Sequence, residues 1–233
     1  MDISTSGVYI ITGGAGAVAG SVARVFHAAG ARLALVGRDE AELRQRAEPL
    51  GALALGADLT SPEAAGRAVS ETQRVFGRVD GLIHTAGGFD MAPAHESGAA
   101  LYDRLFDMNM RTLFCAVDAV LPLLLGQRDG FIAGFSAGVV RTGGGAGMTI
   151  YAAAKAAVSA YLRALESEVR SSGVRVAVVY PLGAIDTPRN RRDMPGAAPR
   201  GWVDPEEIGH ALLFAATRGP RGALVELAIG ARG

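Results

Sequence analysis

Cysteine is nearly absent from this chain of 233 residues, Cys115 being the only one. One thiol closes no intrachain disulfide, and nothing else indicates an oxidising compartment. It falls in an apolar helical run, where a buried, inert thiol is expected. Net charge is missing too: 23 basic and 23 acidic residues leave a formal charge of zero. Without a basic surface field, neither nucleic acid nor an anionic membrane is expected as a partner. Long apolar runs are scarce. The longest, "TLFCAVDAVLPLLLG", carries Asp118 and Pro122 and reads as too short and interrupted to span a bilayer. The opening "MDISTSGVYIITGG" has neither the basic nor the apolar region of a signal peptide, so a cytoplasmic location is expected.

Lysine is as rare as cysteine. Of the 23 cationic residues Lys155 alone is lysine; every other is arginine. It stands four residues after Tyr151 in "TIYAAAKAAV". Positions i and i+4 share a helical face, so the ammonium and the phenol are neighbours if this stretch is helical.

Short apolar runs alternate with helical patterns from end to end. Strands are expected over 8–12, 32–36, 52–56, 80–86, 130–136, 174–180 and 223–229. Between them lie Ala-, Leu- and Arg-rich stretches with apolar residues recurring at three and four, including a long one from about 99 to 126. Ser61-Pro62 and Asp204-Pro205 offer helix starts, and Gly30, Gly77 and Gly173 offer helix ends. Strands that are apolar throughout and separated by helices imply a parallel sheet covered on both faces. No linker or repeat divides the chain. The expectation is α/β, a single doubly wound Rossmann-type domain spanning 1–233 with a seven-stranded parallel sheet.

The first strand runs straight into "TGGAGAVAG" (12–20) and then a helix. Such a turn lets a pyrophosphate approach backbone N–H groups at a helix N-terminus, which marks Gly13, Gly14, Ala15, Gly16, Ala17 and Val18 as cofactor-binding candidates. The second strand ends in "LVGRDE". An acidic residue at its end would hold a ribose 2′-OH, but Gly37 stands there, followed by Arg38. A small residue leaves room for a 2′-phosphate that a guanidinium can bind, so NADP(H) is preferred and NAD(H) is the alternative. Asp58 and Leu59, after the third strand, fall beside the adenine, or Asp58 caps the following helix.

Together these pieces resemble the short-chain dehydrogenase/reductase family over essentially the whole chain. "TGGAGAVAG" is similar to its glycine motif, "HTAGG" (84–88) to its Asn-Asn-Ala-Gly turn, Asn109 to its catalytic asparagine and "YAAAK" to its Tyr-x-x-x-Lys. The segment 185–208 resembles the lid of dihydropteridine-reductase-like members, placing a lid at about 186–203. The resemblance implies Tyr151, Lys155 and Asn109 as catalytic residues, with Asn109 holding a water that links Lys155 to solvent. It also implies cofactor contacts from Ala86, Gly87, Gly88, Lys155, Pro181, Gly183, Ile185 and Thr187, and a homotetramer or homodimer built on the long helices and the last strand. Ala17 and Ala19 replace two motif glycines, and His84 and Thr85 replace two asparagines; a packed, hydrogen-bonded His84 is expected. The family's catalytic serine, 13 positions before the tyrosine, corresponds to Gly138. Either Ser136 reaches in or the site works without serine.

Reduction of a carbonyl needs a proton donor at oxygen as hydride reaches carbon. A phenol with pKa about 10 must be lowered by about three units to cycle near neutrality, roughly 4 kcal/mol. One ammonium at ~4.5 Å in an effective dielectric near 20 supplies about 3.7 kcal/mol. Lys155 is therefore expected to lower the Tyr151 pKa, a task for which arginine's larger fork is no substitute. The function expected is NADP(H)-dependent hydride transfer to a small carbonyl or conjugated, pterin-like imine. Two readings compete: a nonenzymatic nucleotide sensor that kept the fold, and a sugar-nucleotide epimerase, for which the short C-terminal part leaves no substrate domain. Arg189, Arg191, Arg192 and Arg200 fall in the lid and read as solvated, or as facing an anionic substrate. His95 reads as an exposed loop residue.

Overall fold

The computed structural model describes residues 5–219 and 222–231, so the expected domain limits at 1 and 233 lie outside the described residues. Seven strands form one parallel sheet in the order β3-β2-β1-β4-β5-β6-β7. They are β1 (Val8–Thr12), β2 (Arg32–Gly37), β3 (Leu53–Gly56), β4 (Gly81–His84), β5 (Gly130–Phe135), β6 (Val174–Pro181) and β7 (Glu226–Ile229). The helices are α1 (Ala17–Ala28), α2 (Glu40–Ala47), α3 (Pro62–Phe76), α4 (Gly98–Phe106), α5 (Thr112–Gln127), α6 (Gly138–Thr142), α7 (Thr149–Val169), α8 (Pro188–Asp193) and α9 (Pro205–Ala216).

The inner strands are apolar on both faces because each face is covered, whereas the edge strands β3 and β7 are only partly buried. Tyr9, Ile11, Leu33, Leu35, Phe131 and Ala133 pack with Val22 and Phe26 of α1 and Ile208 and Leu212 of α9. Their alternate neighbours Ile10, Ala34, Val36, Leu82 and Ile132 pack with Val69 of α3, Val117 and Val120 of α5 and Val158 and Leu162 of α7. Burying each such side chain contributes ~1.5–3 kcal/mol relative to leaving it exposed, which fixes the register of every strand. Gly209 lets α9 lie close on α1, since a Cβ there would stand 2.9 Å from Val25 Cγ2.

The helix starts follow the sequence. Ser61 accepts from the Ala64 N–H and Asp204 from the Glu206 N–H, each ahead of a proline in the first turn. The last strand is shorter than expected: residues 223–225 are not strand, although Val178 N–H still reaches the Val225 carbonyl at 2.8 Å.

The long apolar segment differs more. It is not interrupted at Asp118 or Pro122; Gly98–Gln127 is continuous, and by length and hydropathy it would suffice to cross a membrane. Of its most apolar 18 residues, 44% are buried against the rest of the chain. Midway, Asp107–Arg111 widen into a π-helical turn. Such turns are uncommon and concentrate at functional sites.

Chain order positions the cleft. The chain builds outward from β1 through β2 to β3, then crosses back to β4 on the other side of β1. Connections beyond the carboxyl ends of β1 and β4 thus part in opposite directions, and a crevice opens between them.

Candidate active site

The glycine turn occupies that crevice. Gly13 has φ +64, and a Cβ there would stand 2.9 Å from the Ala86 backbone, so the β1 and β4 turns touch only because this residue is glycine. Gly14 donates to the Val36 carbonyl at 3.0 Å and packs on α2, where a Cβ would meet Leu43 at 2.8 Å. Gly16 is the N-cap of α1 with no side-chain cap, so the first N–H groups of the helix are left for a ligand. Both alanines border the cleft, and Ala19 is also fully buried, packed into the core beneath the turn.

The cleft is a cavity of about 1260 Å³. Its walls hold Gly13, Ala15, Gly16, Ala17, Val18, Gly37, Arg38, Asp58, Leu59, Ala86, Gly87 and Thr187 of the expected cofactor set. Gly14, Gly88, Pro181, Gly183 and Ile185 lie off these walls, as do Tyr151, Lys155 and Asn109. The walls also hold residues outside that set, among them Arg46, Met108 and Thr112, together with Arg189 and Arg192 of the expected lid. Arg46 had a signal in the i,i+4 pairing Glu42–Arg46, here 2.9 Å apart, on the helix that follows Arg38. Asp39 caps α2 by accepting from Glu42 N–H at 3.0 Å, which leaves exposed Arg38 as the charge at the β2 end. Asp58 accepts from the Thr60 N–H and hydroxyl, which hold its carboxyl below the usual range, while Ser61 does the capping.

Tyr151 and Lys155 lie one turn apart on α7, the Lys155 Nζ being 6.0 Å from the phenol ring centre. Lys155 is only 7% exposed and donates to the Phe135 carbonyl at 2.9 Å. Burial lowers it to about 8. Tyr151 packs edge-to-face on Phe89, ring centres 4.9 Å apart. The expected lowering of the phenol is not found: burial pushes Tyr151 up to about 12. The lysine faces a carbonyl rather than the hydroxyl, so desolvation decides the direction.

Asn109 sits in the π-helical turn, 1% exposed. An α-helical turn would pair its own N–H with the Leu105 carbonyl; here the side-chain Nδ2 donates to that carbonyl at 2.9 Å and to Gly88 O at 3.0 Å. Gly88 N–H returns a bond to Oδ1 at 3.2 Å. A Cβ on Gly87 would lie 2.8 Å from Asn109 Oδ1 and 3.3 Å from Lys155 Nζ, so asparagine and lysine meet at that glycine.

This arrangement has known counterparts. A family model described as short chain dehydrogenase matches residues 7–196. The chain belongs to that family. An uncharacterized oxidoreductase of Staphylococcus aureus (strain MW2) is 29% identical over 227 residues, covering 94% of each chain. Another from Staphylococcus saprophyticus is 30% identical over 220 residues, covering 89% of this chain and 90% of the relative. The crystal structure of gox2181 superposes with a TM-score of 0.87 at 24% identity, covering 97% of this chain and 96% of that one. A metagenomic short-chain oxidoreductase in complex with NADP gives 0.84 at 22% identity, covering 100% and 99%. The activity class is therefore that of a short-chain oxidoreductase, a family that uses NAD(P).

Ser136 is buried and its hydroxyl donates to the Lys155 carbonyl at 2.9 Å, bracing α7 against the end of β5. Ala137 and Gly138 bring none, and Thr142 donates to the Gly138 carbonyl.

His84 is the packed histidine that was expected. Ala86 N–H donates to Thr12 Oγ1 at 3.2 Å, and Thr12 Oγ1 stands 3.0 Å from His84 Nδ1. His84 Nε2 stands 3.2 Å from Thr112 Oγ1, which itself donates to the Met108 carbonyl. Because the Thr112 proton is engaged, Nε2 must be the donor and Nδ1 the acceptor, which assigns a neutral tautomer. Burial, with the Lys155 charge second, holds this histidine down at about 3. The unfolded imidazole takes up a proton near 6.5 that the folded one refuses, so stability rises with pH between about 3 and 6.5. Across that window the linkage amounts to about 5 kcal/mol. Urea unfolding at pH 7 and pH 4 should show a steeper loss for the unaltered protein than for His84→Asn; equal losses would remove His84 as the cause.

Proposed function

We propose that the protein is an NADP(H)-dependent oxidoreductase moving hydride between the nicotinamide and a small carbonyl/alcohol pair or a conjugated, pterin-like imine. Tyr151 acts as proton donor and acceptor, assisted by Lys155. The observation that carries this reading is the pairing of Tyr151 and Lys155 on one face of α7, with Lys155 and Asn109 meeting at Gly87 on the wall of the cleft. A solved neighbour that holds NADP supports it. When bound, the dinucleotide supplies the hydride. The glycine turn and the open N–H groups of α1 would hold its pyrophosphate, and Arg38 would take the 2′-phosphate. Tyr151 delivers a proton to the substrate heteroatom, and the Lys155 ammonium steadies the phenolate left behind. Since Ser136 is engaged elsewhere, no hydroxyl polarises the substrate, and losing one such donor costs ~10²–10³ in rate. A substrate activated by conjugation tolerates that best, as in the dihydropteridine-reductase-like branch. Association into a homodimer or homotetramer belongs to the same reading: Tyr102 of α4 and Phe114 and Leu125 of α5 are exposed on the long helices.

The test is a titration with NADPH and with NADH, followed by Trp202 fluorescence or calorimetry. Tighter NADPH binding is expected, and equal affinities would sink the preference. Gly37→Asp sharpens it. A Cβ at Gly37 meets only ordinary contacts of 3.6–3.7 Å, so the fold tolerates the change. The new carboxylate repels a 2′-phosphate, and NADPH affinity should fall ~100-fold while NADH affinity rises. The sensing alternative is favoured by the Tyr151 phenol at about 12. It would be upheld by dinucleotide binding without turnover of any activated carbonyl.

A further inference from the structure

The lid arginines are divided by their surroundings. Arg191 forms a bidentate pair with Asp186, Nε to Oδ1 at 2.6 Å and Nη2 to Oδ2 at 2.7 Å, at the lid's own base. Arg189 and Arg192, three apart on α8 and hence on one helical face, line the same cleft as the glycine turn. Arg189 has one long contact, Nε to Asp193 Oδ2 at 3.3 Å, and Arg192 has no ion pair among the described residues. The acids on the cleft wall are all engaged: Asp39 by the Glu42 N–H, Glu40 by Arg44, Glu42 by Arg46 and Asp58 by Thr60. No carboxylate there is left to neutralise these two guanidinium groups.

The segment is also tied together at its base. Its base is closed by a parallel bridge between Ile185 and Val203, with Val203 N–H to Ala184 O and Asp186 N–H to Val203 O both at 2.8 Å. Thr187 starts α8 by accepting from Asn190 N–H at 3.1 Å, and Asn190 Nδ2 ties back to Ile185 O at 2.8 Å. Trp202 lies beside that closure.

We infer that Arg189 and Arg192 clamp the dinucleotide's pyrophosphate from the lid side, facing the α1 N-terminus, so that the cofactor and not the substrate draws the lid down. This rests on the dinucleotide-binding reading above and adds that the clamp is indifferent to the 2′-phosphate, which Arg38 reads. A guanidinium on a phosphate is a charge-assisted bond, so each arginine should account for ~10-fold or more in affinity.

The experiment is calorimetric titration of the whole chain and of Arg189→Ala, Arg192→Ala, Arg38→Ala and Arg191→Ala with NADPH, NADH and adenosine 2′-monophosphate, with Trp202 emission recorded at saturation. Expected are equal losses of NADPH and NADH affinity, ~10-fold or more, in Arg189→Ala and Arg192→Ala. Adenosine 2′-monophosphate, which has no pyrophosphate, should bind them as it binds the unaltered protein. Arg38→Ala should lose NADPH and adenosine 2′-monophosphate while keeping NADH. Arg191→Ala should stay within about twofold, the level of a neighbouring exposed pair. The dinucleotide-induced Trp202 change should shrink in the two clamp variants only. Unaltered affinity in both clamp variants, or a loss confined to NADPH, overturns the clamp while leaving the enzyme reading intact. Failure of the unaltered protein to bind either dinucleotide overturns both.

Discussion

Tyr151→Phe is expected to lower kcat by ~10²–10⁴, the usual worth of a positioned proton donor, and to leave NADPH affinity within about twofold. The ring stays packed against Phe89, so the variant keeps its shape and loses one oxygen. No second hydroxyl can take over, because Ser136 is bonded to the Lys155 carbonyl and Thr142 to the Gly138 carbonyl. With the phenol near 12, Tyr151 carries its proton at every pH at which the protein would be assayed. The acid is always loaded; what varies is the charge beside it. Steady-state kinetics on an activated carbonyl, beside a dinucleotide titration, separates the two effects. Unchanged turnover would mean that the proton comes from elsewhere.

That neighbouring charge is the subject of the second large effect. Lys155 titrates near 8, and it is charged below that value. Carbonyl reduction should therefore be fast below about pH 8 and fall above it, as the ammonium that steadies the phenolate is lost. Lys155→Arg should reduce kcat/KM by a similar ~10²–10⁴ and abolish the alkaline limb, since a guanidinium does not titrate in this range. The buried site offers no room for a larger head: Nζ already bonds the Phe135 carbonyl and sits close to Gly87 and Asn109. Overpacking there adds ~1–3 kcal/mol of destabilisation, which thermal unfolding would register. A variant with normal turnover and an unmoved pH profile would show that one lysine among so many arginines has no catalytic meaning. The stability linkage has the opposite slope from a salt bridge. Because folding depresses this lysine, its charged form weakens the fold below about pH 8, and the cost vanishes above its ordinary value of 10.5.

Much of the architecture was legible because covered strands leave an unambiguous mark. "VYIIT" and "RLALV" are apolar apart from the terminal Thr12 and Arg32, and the structure buries alternate residues on opposite faces. The helix starts at Ser61 and Asp204 were equally plain, since their side chains act on N–H groups two or three residues away. Long-range consequences were not legible. Nothing local announces that Asp107–Arg111 widen into a π-helical turn, or that Asn109 satisfies Leu105 and Gly88 together. The direction of the Tyr151 shift depends on what covers the ring, a tertiary fact, so a pairwise estimate from the i+4 lysine pointed the wrong way. Ser136 was a candidate by proximity in sequence; only the approach of α7 to β5 reveals that its hydroxyl is engaged. The division of the lid arginines likewise follows from the folding of α8 onto the cleft, which composition does not encode.

The closure at Ile185 and Val203 has a further consequence. Everything between those residues leaves and returns at one isolated parallel bridge beyond the end of β6, so the segment is tied off at its base. A graft of a foreign segment between residues 186 and 202 would therefore exchange Thr187, Arg189 and Arg192 together and change that wall of the cleft in one step.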